Sequence, residues 1–396
     1  MSVSLPQDPP RSAVSLVPPK PQPAWPELDG AQAAAAALIA AGGPVAVVGA
    51  PGTGKTLVAV TAALAGLRAG RRVLVLSPNR ATATRLNTQI VRRAGVTLDG
   101  PVAMTPTGFA MALLRRRADA LAAAAGPGGE RAAAKEYPQM ISGADQDEAI
   151  ASMLAGQARG EGKPIEWPAS VPPAARTIKA FRNELRDLLV RAEERGLAPA
   201  DLADLGRANQ RPEWVAAAQF YQAYLEGWAL RGGADAGLKL DAAAMVATAG
   251  LAFADWAEPV WLGDQAITLD LAQRPHFDLV AVDDYQEASL ALRALLGELA
   301  ADGSQIAVLG CPDLAVQGYR GALPRLVAEA TAPPPQGFGA ELAVLDTAWR
   351  QTAALVQVTD RVCATIRPGL LGLKARGAAP AALVGSVAGG FHGAQA

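Results

Sequence analysis

The residues best suited to chemistry begin with Gly49-Ala50-Pro51-Gly52-Thr53-Gly54-Lys55-Thr56, which has the spacing G-x-x-x-x-G-K-[ST]. Gly49, Gly52 and Gly54, with Thr53 between them, let successive backbone N–H groups turn inward where side chains would collide with a phosphate. Lys55 is placed to reach the β- and γ-phosphates of ATP or GTP, and the Thr56 hydroxyl to ligate Mg²⁺. A second group lies far downstream in Phe277–Ala288, FDLVAVDDYQEA, an apolar run closed by Asp283-Asp284. The first carboxylate would hold Mg²⁺ and the second would orient or deprotonate an attacking water. Adjacent acids after a strand also suit a solvated turn, and it is the glycine loop upstream that favours the chemical role.

Elements that could position these groups follow from the apolar pattern. A buried-strand run at Val45–Val48 leads directly into the glycine loop, a helix follows at Leu57–Ala69, and Gly70-Arg71-Arg72 turns the chain into a strand at Val73–Leu76. Strand, loop, helix and strand at this spacing predict a βαβ unit and a parallel sheet covered on both faces. An alanine-rich helix is expected before it, at Ala31–Ala41, stopped by Gly42-Gly43-Pro44. From about Arg115 to Asp235 the pattern turns helical, with stretches such as Thr177–Glu194 and Trp214–Leu230. Short strands resume at Asp278–Val282 and Gln305–Leu309, Pro333-Pro334-Pro335 reads as a stiff linker, and one more helix is expected at Ala348–Ile366. The expected division is a proline-rich disordered lead over 1–27, a phosphate-binding α/β domain over 28–114 and 236–330, and a helical insertion over 115–235.

The 396 residues are 51% hydrophobic and 18% charged, with a formal net charge of −1, so any nucleic-acid surface must be local. Cys311 and Cys363 are far apart and match no metal-ligand spacing, which fits buried thiols in a reducing compartment. With no signal-like lead and no apolar run long enough to span a bilayer, a cytoplasmic protein is expected.

Several further segments, in this order, resemble superfamily 1 DNA helicases of the UvrD/Rep type, and among them the AdnA-type subunit of actinobacterial helicase–nucleases that resect DNA ends. Leu28-Asp29-Gly30-Ala31-Gln32 is similar to the family's Q motif, which implies that Gln32 reads adenine. Ser77-Pro78-Asn79-Arg80-Ala81 and Thr105-Pro106-Thr107-Gly108-Phe109-Ala110 resemble the two motifs that line the single-strand path, pointing to Asn79, Arg80, Thr105 and Phe109 as DNA contacts. Val282–Glu287 resembles V-D-E-x-Q-D, with Gln286 coupling nucleotide to DNA. Gly310–Ala322 is similar to motif III, in which Tyr319 and Arg320 would offer a stacking face and a cation to the strand; Tyr319 and Phe109 also suit core packing. Arg350, in Leu345–Arg350, resembles the arginine that contacts the γ-phosphate.

The resemblance covers about residues 28 to 366. It implies an α/β fold, with a RecA-like parallel-sheet domain interrupted by a mostly helical insertion, and the start of a second RecA-like domain over 331–396, where the chain is expected to stop short. It also implies ATP and Mg²⁺ as cofactors, single-stranded or duplex-end DNA as substrate, 3′ to 5′ movement in repair or recombination, and a second motor or nuclease subunit as partner. Three positions depart from the family: Asp284 stands where it has Glu, Leu314 where it has a γ-phosphate-sensing Gln, and Cys311 where it has an acid. Each would weaken hydrolysis or its coupling to DNA, leaving a nucleotide-binding, DNA-gripping accessory subunit as the alternative.

Overall fold

The structure is a computed structural model that describes residues 25–231, 237–365 and 377–378. The expected lead before Trp25, and the expected tail beyond residue 378, lie outside the described residues.

Six parallel strands form the central sheet: β1 Val45–Gly49, β2 Val73–Leu76, β3 Ala103–Met104, β4 Leu279–Val282, β5 Gln305–Gly310 and β6 Glu341–Leu345, in the order β6-β1-β5-β4-β2-β3. The first strand reads VAVVG and is buried throughout, as a strand covered on both faces must be. Because side chains alternate along each strand, the sheet divides its own residues between two cores. Val45, Val47, Val73, Val75, Leu279 and Leu309 face helices α1 Gly30–Ala41, α2 Lys55–Arg68 and α3 Arg80–Ala94. Val48, Leu76, Val280 and Val308 face the other way, against α4 Pro106–Ala124, α9 Ala242–Ala254 and α10 Leu290–Ala301.

Between α4 and α9 run α5 Gly143–Ala158, α6 Lys179–Glu194, α7 Pro199–Ala208 and α8 Pro212–Arg231. They enclose a separate apolar cluster that includes Ile150, Leu185, Leu189, Leu202 and Phe220. A short parallel pair, Pro138–Met140 with Leu238–Leu240, ties the start of this region to its end.

Three details differ from the sequence-based expectation. Strand β6 pairs with β1 from Val45↔Glu341 to Gly49↔Leu345, so residues 341–345 belong to the phosphate-loop sheet, whereas the expected division assigned everything from 331 onward to a second domain. The helix expected at Ala348–Ile366 is α11, Ala353–Thr365, and Thr347–Ala348 instead pairs with Gly377–Ala378. Trp25, assigned to the lead, packs on the body: its Nε1 donates to Thr61 Oγ1 at 3.4 Å, and the Arg93 guanidinium lies 4.6 Å from its ring.

Candidate nucleotide and nucleic-acid site

The chemistry-bearing residues gather at the C-terminal edge of the sheet, where β1 runs into the glycine loop and β4 into the acid pair. Gly52 and Gly54 sit at φ +82° and +88°. A Cβ at residue 54 would collide with the Gln32 amide, and one at residue 49 with Thr53 Oγ1. The loop can therefore adopt this cradle only with glycines at these positions. Buried Lys55 opens α2 and donates from Nζ to the carbonyls of Gly49 and Ala50 at 2.7 and 3.0 Å, which keeps the ammonium inside the cradle. Burial lowers its pKa, against the negative charges of Asp283 and Asp284.

Thr56 Oγ1 donates to Asp283 Oδ2 at 2.9 Å, joining the glycine loop to the acid pair across the sheet. Asp283 is 1% exposed, and its other oxygen, Oδ1, has no hydrogen-bond partner among the described residues. Burial, then Asp284, push its pKa up to about 6, while Thr56 and Lys55 pull it back. A buried, under-satisfied carboxylate oxygen beside a threonine hydroxyl and a lysine is a donor set that fits Mg²⁺ held with a triphosphate. Asp284 lies in the left-handed region at φ 54°, ψ 44°, a conformation that Asp tolerates better than most residues.

Gln286 connects this pair to the next strand. Its Nε2 donates to Asp284 Oδ1 at 3.0 Å, and its Oε1 accepts from the Cys311 N–H at 3.0 Å, just past β5. Glu287 accepts from the N–H groups of Val316 and Gln317 at 2.9 and 3.0 Å. The 311–322 loop is thereby bound at two points to the segment that carries the acids.

At the other end of the site, Gln32 is 3% exposed and engaged at both ends of its amide. It donates to the Thr53 carbonyl at 2.9 Å and accepts from the Asp29 N–H at 3.1 Å, completing a capping box at the start of α1. Trp349 closes the same corner: its backbone N–H donates to Gly52 O at 3.0 Å and its Nε1 to Asp29 Oδ2 at 2.6 Å. The backbone and Cβ of Arg350, whose side chain is exposed, lie against Gly52, so the structure brings this residue to the glycine loop. Trp349 carried no role in the sequence, although it adjoins Arg350; its link to Asp29 spans most of the chain and leaves no local signal.

A cleft of about 440 Å³ opens beside the acids, between the sheet edge and the helical insertion, with Ser77, Thr107, Asp283, Gln317 and Tyr319 on its walls. Tyr319 is 62% exposed there. Arg320 shares its turn, but the Arg320 side chain lies outside what the structure describes. Asn79 and Thr105 are the N-caps of α3 and α4, accepting from Thr82 N and Gly108 N at 2.8 and 3.0 Å. Arg80, exposed, is the first residue of α3. Phe109 corrects an expectation: it is 4% exposed and packs edge-on against Phe277 with ring centroids 5.6 Å apart, so it belongs to the core and offers no face to a base.

The sequence model of the UvrD/REP helicase N-terminal domain matches residues 28–335. The chain belongs to the UvrD/REP helicase family. That match spans the glycine loop, the acid pair, the 311–322 loop and the helical insertion between them. UvrD/REP helicases are, as a class, DNA-dependent ATPases that use ATP with Mg²⁺ and bind DNA. No curated protein matches the sequence at a significant level. Among the described residues, no helix is long and apolar enough to cross a membrane.

Proposed function

We propose that this UvrD/REP-type chain is an ATP-dependent DNA translocase or helicase motor subunit, moving 3′ to 5′ on single-stranded DNA in cytoplasmic repair or recombination. The observation that carries this is the Thr56–Asp283 hydrogen bond, which joins the phosphate loop to the acid pair at the edge of a cleft walled by Tyr319. Gly49, Gly52, Thr53 and Gly54 cradle the triphosphate, Lys55 neutralises it, and Arg350, beside Gly52, approaches the γ-phosphate. Thr56 and Asp283 hold Mg²⁺, which when bound offsets the negative charge of the transferring phosphoryl group. Asp284, steadied by Gln286, orients or deprotonates the attacking water. Gln32 reads adenine, for which its amide must exchange one of its two present partners. Asn79, Arg80 and Thr105, at the starts of α3 and α4, face backbone phosphates, while Tyr319 and Arg320 take a base and a phosphate. Residues beyond β6 begin a second RecA-like unit, and a second motor or nuclease subunit acts alongside.

A DNA-gripping accessory subunit with weak hydrolysis is the alternative, favoured by Leu314. That residue is 39% exposed and apolar where a phosphate-sensing amide would stand. ATP hydrolysis with and without single-stranded DNA separates the two, with Lys55→Ala as control. A motor shows DNA-stimulated turnover that disappears in the variant. ATP binding with no turnover in either condition overturns the motor in favour of the accessory subunit, and absence of DNA binding overturns both.

A further inference from the structure

The 311–322 loop has a third point of attachment, and it comes from the helical insertion. Helix α6 carries Arg191 and Glu194, which form an ion pair of 2.8 Å with side chains only 21% and 5% exposed. This pair lies directly against Gly321, at the end of the turn that holds Tyr319. A Cβ placed on Gly321 would collide with the Arg191 guanidinium and meet Glu194 Oε2, and the residue sits at φ +87°. The backbone conformation favours glycine there, and any larger residue would also have to displace the Arg191 side chain. Arg191 Nε and Nη1 have no hydrogen-bond partner among the described residues, so the guanidinium is held by charge attraction to Glu194 and by its packing on Gly321.

The other two attachments come from the acid-bearing segment, Gln286 to Cys311 and Glu287 to Val316 and Gln317. The loop thus bridges two bodies, the sheet edge with its acids and the insertion with its own core. Glu194 is buried enough for desolvation to raise its pKa despite Arg191 beside it, which marks a contact largely shielded from water.

We propose that Arg191, held by Glu194, is a positioning residue that couples the helical insertion to the nucleotide site through the Gly318–Gly321 turn. It touches no reacting atom. It sets where Tyr319 stands in the cleft, so that a change in the Asp284–Gln286–Cys311 chain is felt by α6, and a shift of α6 is felt by the acids. The role deepens the motor proposed above and rests on it for turnover, but the coupling itself can be read without turnover.

The test is hydrogen–deuterium exchange on the full chain, with and without Mg²⁺ and a non-hydrolysable ATP analogue, in wild type, Arg191→Ala and Arg191→Lys. In wild type the analogue should change exchange in both 311–322 and 179–194. In Arg191→Ala the change at 179–194 should vanish while analogue affinity stays within about twofold, and Arg191→Lys should restore part of it. In the hydrolysis assay, DNA-stimulated kcat should fall about tenfold in Arg191→Ala, with KM for ATP unmoved and Arg191→Lys intermediate. A nucleotide response at 179–194 that persists in Arg191→Ala overturns the coupling. So does a general rise in exchange across the insertion with a lowered melting temperature, which makes Arg191 merely structural. Absence of DNA-stimulated turnover in wild type counts against the motor alone, and the exchange comparison then decides the coupling by itself.

Discussion

Asp284→Glu tests whether the reach of one carboxylate limits this site. Asp284 Oδ1 is held by Gln286 at 3.0 Å, and Gln286 is in turn held by the Cys311 N–H, so swinging the carboxylate outward to make up for a short side chain would break that bond. One more methylene extends the side chain by about 1.5 Å. A misplacement of about 1 Å at a catalytic group can cost on the order of 100-fold in rate, so lengthening should recover about 10- to 100-fold in single-turnover hydrolysis at saturating ATP. The backbone works against the change, because residue 284 sits at φ 54°, where Asp is tolerated and Glu costs about 1 kcal/mol more. The variant should therefore be faster and slightly less stable, with ATP affinity unchanged. Quenched-flow measurement of the first turnover, paired with urea unfolding, reads both effects. Hydrolysis that stays at the wild-type rate, with ATP still bound, would refute the reach argument and move the limitation to Leu314.

Two further outcomes follow from groups described above. Glu193, at the root of the insertion, has its pKa pushed up to about 7 by burial, with Asp241 and Glu194 adding to it. Because the folded value is raised, the fold is favoured below the ordinary carboxylate pKa and loses that advantage as pH rises through about 7. Glu193→Gln should then be more stable than wild type by on the order of 2–3 kcal/mol near about pH 8.5 and about equal near pH 4. Equal urea midpoints at both pH values would show that Glu193 is solvated. Gly54→Ala places a methyl into the Gln32 amide at φ +88°, and affinity for a fluorescent ATP analogue should drop at least about tenfold, whereas unchanged affinity would mean that the loop adapts without that glycine.

What could be read from the sequence had a local cause. The glycine loop is legible because its positions are fixed by backbone sterics within eight residues, and the βαβ unit because VAVVG and VLVL flank it with turn residues at the right distance. Strand β6 was assigned to the wrong body because it is an edge strand. Its exposed Leu342 and Val344 break the run of buried residues, and the triple proline before it looks like a boundary. Asn79 and Thr105 carry side chains that cap helices equally well anywhere, so their type alone does not say what faces the cleft. Phe109 is core because Phe277, on the approach to β4, closes over its ring. Trp349 on Asp29 and Arg191 on Gly321 are joined only by the fold, and no spacing rule reaches that far.

The strand order also dictates when the phosphate loop can exist. Strand β1 lies between β5 and β6, so Val45 finds its neighbours at Ala307 and Glu341. At a synthesis rate of about 5–20 residues per second, the strand waits on the order of half a minute with both edges unpaired. The insertion, with its own apolar cluster, has all its parts well before then and can fold first. The nucleotide site is therefore among the last features to form, and a nascent chain interrupted before β5 emerges would expose VAVVG to aggregation. Contacts so distant in sequence make the bare motor sheet slow to assemble, and ATP in the cell, by binding only the completed cradle, would draw that final step to completion.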